Sequence, residues 1–380
     1  MVHRRMDLLL AALLAGAMTA CAAAQGGAGS AAAAPAAAPD PVDAGLADAG
    51  AGALVVVAAA DWCEPCNELH HRFLDTPAGQ QALAGHTYRE LDVDTPAGGA
   101  AAAELRILGY PSTVVLRRIA GQRVEVGRIE GFDSAAEYAA TLKELLTRTT
   151  PVAWCAQPLP PGLPPAHTAV ETLPVLRCAA DSLRGPDAQR AADLLRTFAG
   201  DPVRWSAAAT WDDSARLDVL AAIRLLGRYQ TRVARDHMAC ATTFGALATF
   251  AGTPDKSRGG MHYWRARCLL RGGQPDTAQA ELRGYLAGRP GDAQAAELVA
   301  DFLVHEALGQ PWGPPWALEL LGGIVQQKPD DHWAHYLMGA VLARAGRMEE
   351  ARAAVAKALA LKPESAIYLR HRDRWAAAGK

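Results

Sequence analysis

Apolar and polar positions divide the chain into stretches of different period. Leu54 to Ala59, LVVVAA, is a short unbroken apolar run, the pattern of a buried strand. Asn67 to Phe73 sets Leu69 and Phe73 four apart, as one face of a helix does. A strand is expected within His86 to Thr95, a helix over Ala100 to Gly109 with glycine at its end, and a strand over Ser112 to Arg118. Alternation continues through QRVEVGRIEGF, and Ser134 to Leu146 is amphipathic, with Tyr138, Leu142, Leu145 and Leu146 clustered. The predicted order is β, α, β, α, β, β, α.

The period then changes. Residues 148–174 contain QPLPPGLPPAH, whose prolines remove backbone donors and resist both helix and central strand, so this segment reads as a stiff connector. Residues 175–375 turn helical, in pieces split by Gly and Pro. His335 to Pro363 places Gly339, Leu342, Gly346, Ala351, Val355, Ala358 and Pro363 where tetratricopeptide repeats have small, apolar and turn residues, and so resembles one such repeat. His262 to Pro290 repeats the pattern with Ala266, Leu269, Gly273, Ala278, Leu282, Tyr285 and Pro290. A weaker unit lies between them, giving repeats near 259–292, 298–331 and 332–365. The resemblance implies a short α-solenoid, whose concave face commonly takes a peptide or protein ligand. Trp264, Trp312, Trp316 and Trp333 read as packing between helices rather than as recognition aromatics.

At the other end, residues 1–20 begin MVHRRM and continue into an apolar run from Leu8 to Met18 too short to span a bilayer, the pattern of an export signal. The sequence ending Met18-Thr19-Ala20-Cys21 resembles a bacterial lipobox, which implies lipidation of Cys21; ordinary cleavage after Ala20 or Ala24 is the alternative. Residues 21–52, mostly Ala, Gly and Pro, read as a flexible tether. Both versions export the protein to the periplasm or cell surface, and the lipid would be its contact with a membrane. Lys plus Arg number 38 against 40 Asp plus Glu, which gives no bulk electrostatic reason to expect a nucleic-acid partner.

With Cys21 set aside, six cysteines remain, an even number suited to disulfides in an oxidising compartment. Pairing neighbours along the chain joins Cys63 to Cys66, Cys155 to Cys178 and Cys240 to Cys268. His237 and His262 offer a zinc alternative for the last pair, although no compact ligand pattern accompanies them.

Cys63-Glu64-Pro65-Cys66 has three readings: reactive thiols, a structural staple, or half a metal site with His70 and His71. Its place between a buried strand and a helix decides among them. Unpaired N–H groups at a helix start favour a thiolate at Cys63, and Cys66, three positions on, lies on the same side. Pro65 suits a first helical turn. Glu64 is favoured by the helix dipole and opposes a nearby thiolate.

Taken together, VVVAAADWCEPC, ELDVD, LRILGYPSTVVL and GRIEGF resemble the thioredoxin superfamily over residues 53–147, especially exported members such as the thiol-reducing domain of transmembrane reductant carriers. The resemblance implies an α/β thioredoxin-like domain ahead of the all-α repeats. It makes Cys63 the attacking and Cys66 the resolving cysteine, places Trp62 beside them, and makes Tyr110-Pro111 a cis element that positions substrate. No metal or organic cofactor is implied. The family's buried Asp, six positions before the attacking cysteine, is here Val57, so proton transfer at Cys66 is left to Glu64 or water. The opening β-α unit lacks a clear counterpart, which points to a minimal version of the fold. The expected function is thiol-disulfide exchange with protein thiols or disulfides outside the cytoplasm, together with a redox partner. The alternative is a cell-envelope scaffold that binds partners through its repeats, with a redox-inactive thioredoxin-like domain.

Overall fold

Valine-rich β1 (Leu54–Ala59) is central in a four-stranded sheet of order β2-β1-β3-β4, where β2 is Thr87–Asp92, β3 is Ser112–Ile119 and β4 is Gln122–Glu130. The computed structural model describes Val42 and residues 52–377. The expected signal segment, Cys21 and nearly all of the expected tether lie outside the described residues. β1 runs parallel to β2 and antiparallel to β3, and β3 returns as a hairpin into β4.

Every residue of β1 is buried because both faces of the sheet are covered. Leu54, Val56 and Ala58 face Leu91, Ala101, Ile107 and Val114. Val55 and Val57 face Leu69, Phe73, Tyr138 and Leu142 from the other side. Full burial of each such side chain contributes about 1.5–3 kcal/mol. Val42 joins the first of these clusters at 1% exposure, so the stretch expected to be a tether already holds a core residue before residue 52.

Helices α1 (Glu64–Leu69, continuing as a π-turn over His70–Leu74), α2 (Pro77–Leu83), α3 (Pro96–Glu104) and α4 (Ala135–Thr147) complete this domain. The helix expected over Ala100–Gly109 begins and ends earlier. Thr95 caps it by accepting from the Gly98 N–H, and Arg106 takes a positive φ of 49°, which ends the helix before Gly109.

The connector is shorter than its prolines suggested. Helix α5 (Ala169–Ser182) already contains Pro174, against the expectation that helix starts after it. Pro174 costs one intrahelical hydrogen bond in an early turn, while Leu173 and Leu176 are buried beside it. Val152 donates to the Glu125 carbonyl at 3.0 Å, which ties the connector's start to β4. Cys155 is bonded to Cys178, and so fastens the connector to α5.

The remaining helices are α6 (Ala188–Ala199), α7 (Pro202–Ala208), α8 (Asp213–Arg232), α9 (His237–Thr249), α10 (Asp255–Arg271), α11 (Pro275–Ala287), α12 (Ala293–Glu306), α13 (Gly313–Gln327), α14 (His332–Arg344), α15 (Met348–Leu361) and α16 (Ala366–Ala377). They share one continuous apolar core. Cys240 and Cys268, both fully buried, cross-link α9 to α10. The turns after α10 and α14 are built alike: Gly273 and Gly346 both take φ +76°. Each donates back to the helix it ends (Gly273 to the Leu270 carbonyl, Gly346 to that of Ala343), and the residue after each reaches the carbonyl one position further back, Gln274 to Leu269 and Arg347 to Leu342. That shared cap is the physical content of the repeat pattern.

Candidate active site

The cysteine pair sits where β1 gives way to α1. Cys63 is the N-cap, in extended backbone, and its Sγ accepts the Cys66 N–H at 3.2 Å. Cys63 and Cys66 form a disulfide with a Cα–Cα distance of 5.2 Å. Asn67 holds the loop from beneath: its Nδ2 donates to the carbonyls of Asp61 and Cys63, each at 2.9 Å. Cys63 is 5% exposed and Cys66 1%, so the first sulfur lies nearer the surface and the second is sealed.

Register brings the other expected residues alongside. Ser112 pairs with Ala58, so Tyr110 and Pro111 abut the strand end from which the cysteine loop leaves. The Tyr110–Pro111 bond is cis. Trp62 packs edge-on against Tyr110, ring centroids 6.1 Å apart, and donates from its indole Nε1 to Asp94 at 2.9 Å. Glu64 is turned away to a different task, accepting from Lys362 Nζ at 3.0 Å.

Behind Cys66 lies a second feature. Val57 is fully buried in an apolar cluster, but the parallel register sets Glu90 of β2 beside it. Glu90 Oε1 meets His70 Nε2 at 3.1 Å, and Asp75 approaches His70 Nδ1 at 3.3 Å. The hydrogen bond to Glu90 raises the His70 pKa, and the same bond lowers that of Glu90. Cys66, Asn67, His70 and Glu90 line a cavity of about 80 Å³, and the Asn67 Oδ1 is buried with no hydrogen-bond partner.

In front of Cys63 the thioredoxin-like domain and the helices enclose a cleft of about 520 Å³. Trp62, Cys63 and Tyr110 form one wall; Arg228, Arg232 and Trp264 stand opposite. His305 and Trp333, from two further repeats, close it. Trp264 and Trp333 therefore face the cleft instead of serving only in helix packing, whereas Trp316 is buried as expected. The readable signal for the opposite wall was Arg224, Arg228 and Arg232, a basic stripe at four-residue spacing along α8.

The metal alternatives find no support in geometry. His70 is engaged by carboxylates, His237 Nδ1 lies 3.0 Å from the Thr231 hydroxyl, and His262 Nδ1 lies 2.7 Å from Glu281. Among the described residues no group of three or more His, Cys, Asp or Glu is placed to hold a metal ion. Among them, too, no helix is long and apolar enough to cross a membrane.

Comparison with known proteins divides along the same lines. A tetratricopeptide-repeat family profile matches residues 317–370. The thiol:disulfide interchange protein DsbD of Klebsiella pneumoniae subsp. pneumoniae is 32% identical over 105 residues, 27% of this chain and 17% of that protein. The chain thus spans well under two thirds of that curated relative. A solution structure of a thioredoxin from Thermus thermophilus is 30% identical, with 29% of this chain and 85% of that one covered at a TM-score of 0.27. The crystal structure of YrrB, described as a TPR protein with an unusual peptide-binding site, is 19% identical, with 55% and 93% covered at a TM-score of 0.31. The chain is an α/β domain of thioredoxin-like order with a four-stranded sheet, bearing a disulfide within a Cys-x-x-Cys motif, followed by a series of paired helices of which residues 317–370 match a tetratricopeptide-repeat profile.

Proposed function

We propose that the protein is a thiol-disulfide oxidoreductase acting on protein disulfides outside the cytoplasm. The observation that carries this reading is the Cys66 N–H directed at Cys63 Sγ, on a sulfur that borders an open cleft. In the dithiol form that donor stabilises negative charge on Cys63. The Cys63 thiolate attacks one sulfur of a substrate disulfide, and the other sulfur leaves as a thiol. Cys66, deprotonated, then attacks Cys63 Sγ, re-forming the Cys63–Cys66 bond and releasing the second substrate thiol. Two electrons pass from the chain's dithiol to the substrate; a dithiol partner restores the chain. Trp62, Tyr110 and Pro111 shape the wall against which the substrate backbone lies.

Glu64 accepts from Lys362 and does not line the small cavity that Cys66 borders. The group better placed is the His70–Glu90 pair, which shares the small cavity with Cys66. That space suffices for a water between the Cys66 thiol, Asn67 Oδ1 and the pair. Glu90 pairs with Val57 in the sheet register, and so offers a carboxylate one strand over from the position where the resemblance expects one.

Location outside the cytoplasm, and anchoring by a lipid on Cys21, rest on the N-terminal apolar run. The scaffold alternative treats the repeats and the cysteines as separate surfaces, but Trp264 and Trp333 line the same cleft as Cys63. Reduction of insulin disulfides by the full chain tests the proposal, with turnover expected to vanish in Cys63→Ser and Cys66→Ala expected to accumulate a mixed disulfide at Cys63. Full turnover by Cys63→Ser would refute it.

A further inference from the structure

Three arginines and three carboxylates, Glu64, Glu130 and Asp301, line the cleft, but each of these carboxylates is engaged by another side chain. Arg228 and Arg232 of α8 and Arg267 of α10 reach it. Arg267 is already paired with an acid and the lining carboxylates are held by other groups, which leaves Arg228 and Arg232. Glu306 pairs with Arg267 at 2.9 Å and with Arg271 at 3.3 Å, Glu130 accepts from Arg184 at 2.7 Å, and Asp301 faces His305 at 3.4 Å. Glu64 is held by Lys362.

Arg228 Nε and Arg232 Nη1 are buried without a hydrogen-bond partner. Arg232 stacks over the Tyr110 ring at 4.0 Å, and both arginines also approach the Trp264 ring, at 5.5 and 5.6 Å. Aromatic faces orient a guanidinium without satisfying its donors. Burial drives the Arg232 pKa down to about 9 and lowers that of Arg228, the sign of cations held where charge is costly. Like charges four apart also disfavour α8 itself. An arrangement that leaves cations short of partners, beside a redox sulfur, is complementary to an incoming anion.

We infer that the cleft takes an acidic cysteinyl peptide, its sulfur meeting Cys63 and its carboxylates meeting Arg228 and Arg232. This rests on the redox reading above and adds the class of substrate. The cleft volume of about 520 Å³ lies in the range of small-ligand pockets, so the substrate enters as a short segment and not as a folded surface. That segment is either a free peptide or an acidic stretch of a longer chain.

The test uses the full chain, reduced with dithiothreitol and desalted, and follows its oxidation by tryptophan fluorescence. Three disulfides serve as probes: oxidised glutathione (anionic), 2-hydroxyethyl disulfide (neutral) and cystamine (cationic). Each rate is divided by that of the same probe with free dithiothreitol, which removes differences in leaving-group reactivity. The normalised rate should be highest for glutathione and lowest for cystamine, by roughly tenfold or more at low salt, and the ratio should shrink as salt is added. Arg232→Gln and Arg228→Gln should shrink it at constant salt, and Arg232→Lys should retain most of it. The wild-type salt dependence reads the same interaction if a substitution unfolds the chain. A disulfide of a Glu-Cys-Glu peptide separates the sources: a higher normalised rate than glutathione assigns a segment of a longer chain, and an equal or lower one assigns the free peptide. Equal normalised rates for all three probes would overturn the acidic-peptide inference and leave the redox reading standing. Failure to consume even the neutral probe would sink both.

Discussion

Glu64, which stands between the two cysteines, accepts a hydrogen bond from Lys362, 298 positions further along the chain. Asp61, just before Trp62, is held by Arg370 at 2.8 Å and faces Arg374 at 3.5 Å. The end of the repeat series thus grips the loop that carries the redox motif. An aromatic stack fixes that end in turn: Tyr336 of α14 lies 4.9 Å from Tyr368 and 5.5 Å from His371 of α16.

Partly exposed ion pairs of this kind each contribute at most about 1 kcal/mol. Lys362→Ala should therefore lower overall stability by less than about 1 kcal/mol. Its effect should be visible in access instead. In the reduced chain, combined Lys362→Ala, Arg370→Ala and Arg374→Ala should raise the rate at which iodoacetamide alkylates Cys63. An unchanged rate would show that this grip does not govern access.

What could be read in advance follows from the range of the interactions. LVVVAA had to be an interior strand because six consecutive apolar residues need burial on both sides. Gly273 and Gly346 marked helix ends because both adopt a conformation that other residues resist. Cys63 to Cys66 and Tyr110-Pro111 are short motifs with their own local geometry. Contacts that depend on register or on distant packing were invisible. Nothing along the chain says that Glu90 lies beside Val57, or that Lys362 reaches Glu64. The early start of α5 was hidden because Pro174 is tolerated where neighbouring leucines are buried. The arginine stripe on α8 was legible as a pattern, but only the facing Tyr110 ring and the cleft give it a use.

Placing an acid at position 57, where the resemblance expects one, tests whether that position suits a carboxylate. Val57 is surrounded by Leu69, Phe73, Tyr138 and Leu142, the Thr113 and Tyr138 hydroxyls beside it are bonded to each other, and Glu90 in the next strand is a like charge. Val57→Asp should cost about 2–4 kcal/mol of stability and bind a proton at neutral pH, because an unpaired buried carboxylate is strongly disfavoured. Denaturant unfolding of wild type and variant at pH 7 measures this. A neutral or stabilising effect would mean that the site keeps a water or a counter-charge for the acid.

The His70–Glu90 pair should act on the second chemical step more than on the first. With Glu90→Gln or His70→Phe, attack of Cys66 on the mixed disulfide should slow by roughly tenfold or more, within the range general-base assistance supplies. Quenched-flow trapping with a model disulfide should show the Cys63 mixed disulfide accumulating. Glu64→Gln should not reproduce this. Equal slowing of both steps would indicate a structural effect on α1 rather than proton transfer.

Two histidines give the stability profile opposite slopes at different pH. Burial, aided by Arg374, depresses the His371 pKa to about 4 from an ordinary 6.5, with Asp61 opposing and Arg370 and His305 adding to the shift. Between those values the unfolded chain binds a proton that the folded chain refuses, so stability falls as pH drops from about 6.5 toward 4, by up to about 3 kcal/mol. His70 behaves in the opposite sense. Its folded pKa lies above 6.5, so its contribution is fully present below that value and is lost as pH rises through the folded pKa. Glu90, lowered from 4.5, contributes above 4.5 and loses that contribution as pH falls through its folded pKa. Urea midpoints measured from pH 4 to pH 8 should therefore decline on the acid side in wild type and decline less in His371→Gln. Because His371 packs on Tyr336 and Trp375 within the helix that grips Asp61, the acid loss should coincide with faster alkylation of Cys63 in the reduced chain, after correction for thiolate fraction. An acid slope that survives intact in His371→Gln would assign the loss to other groups.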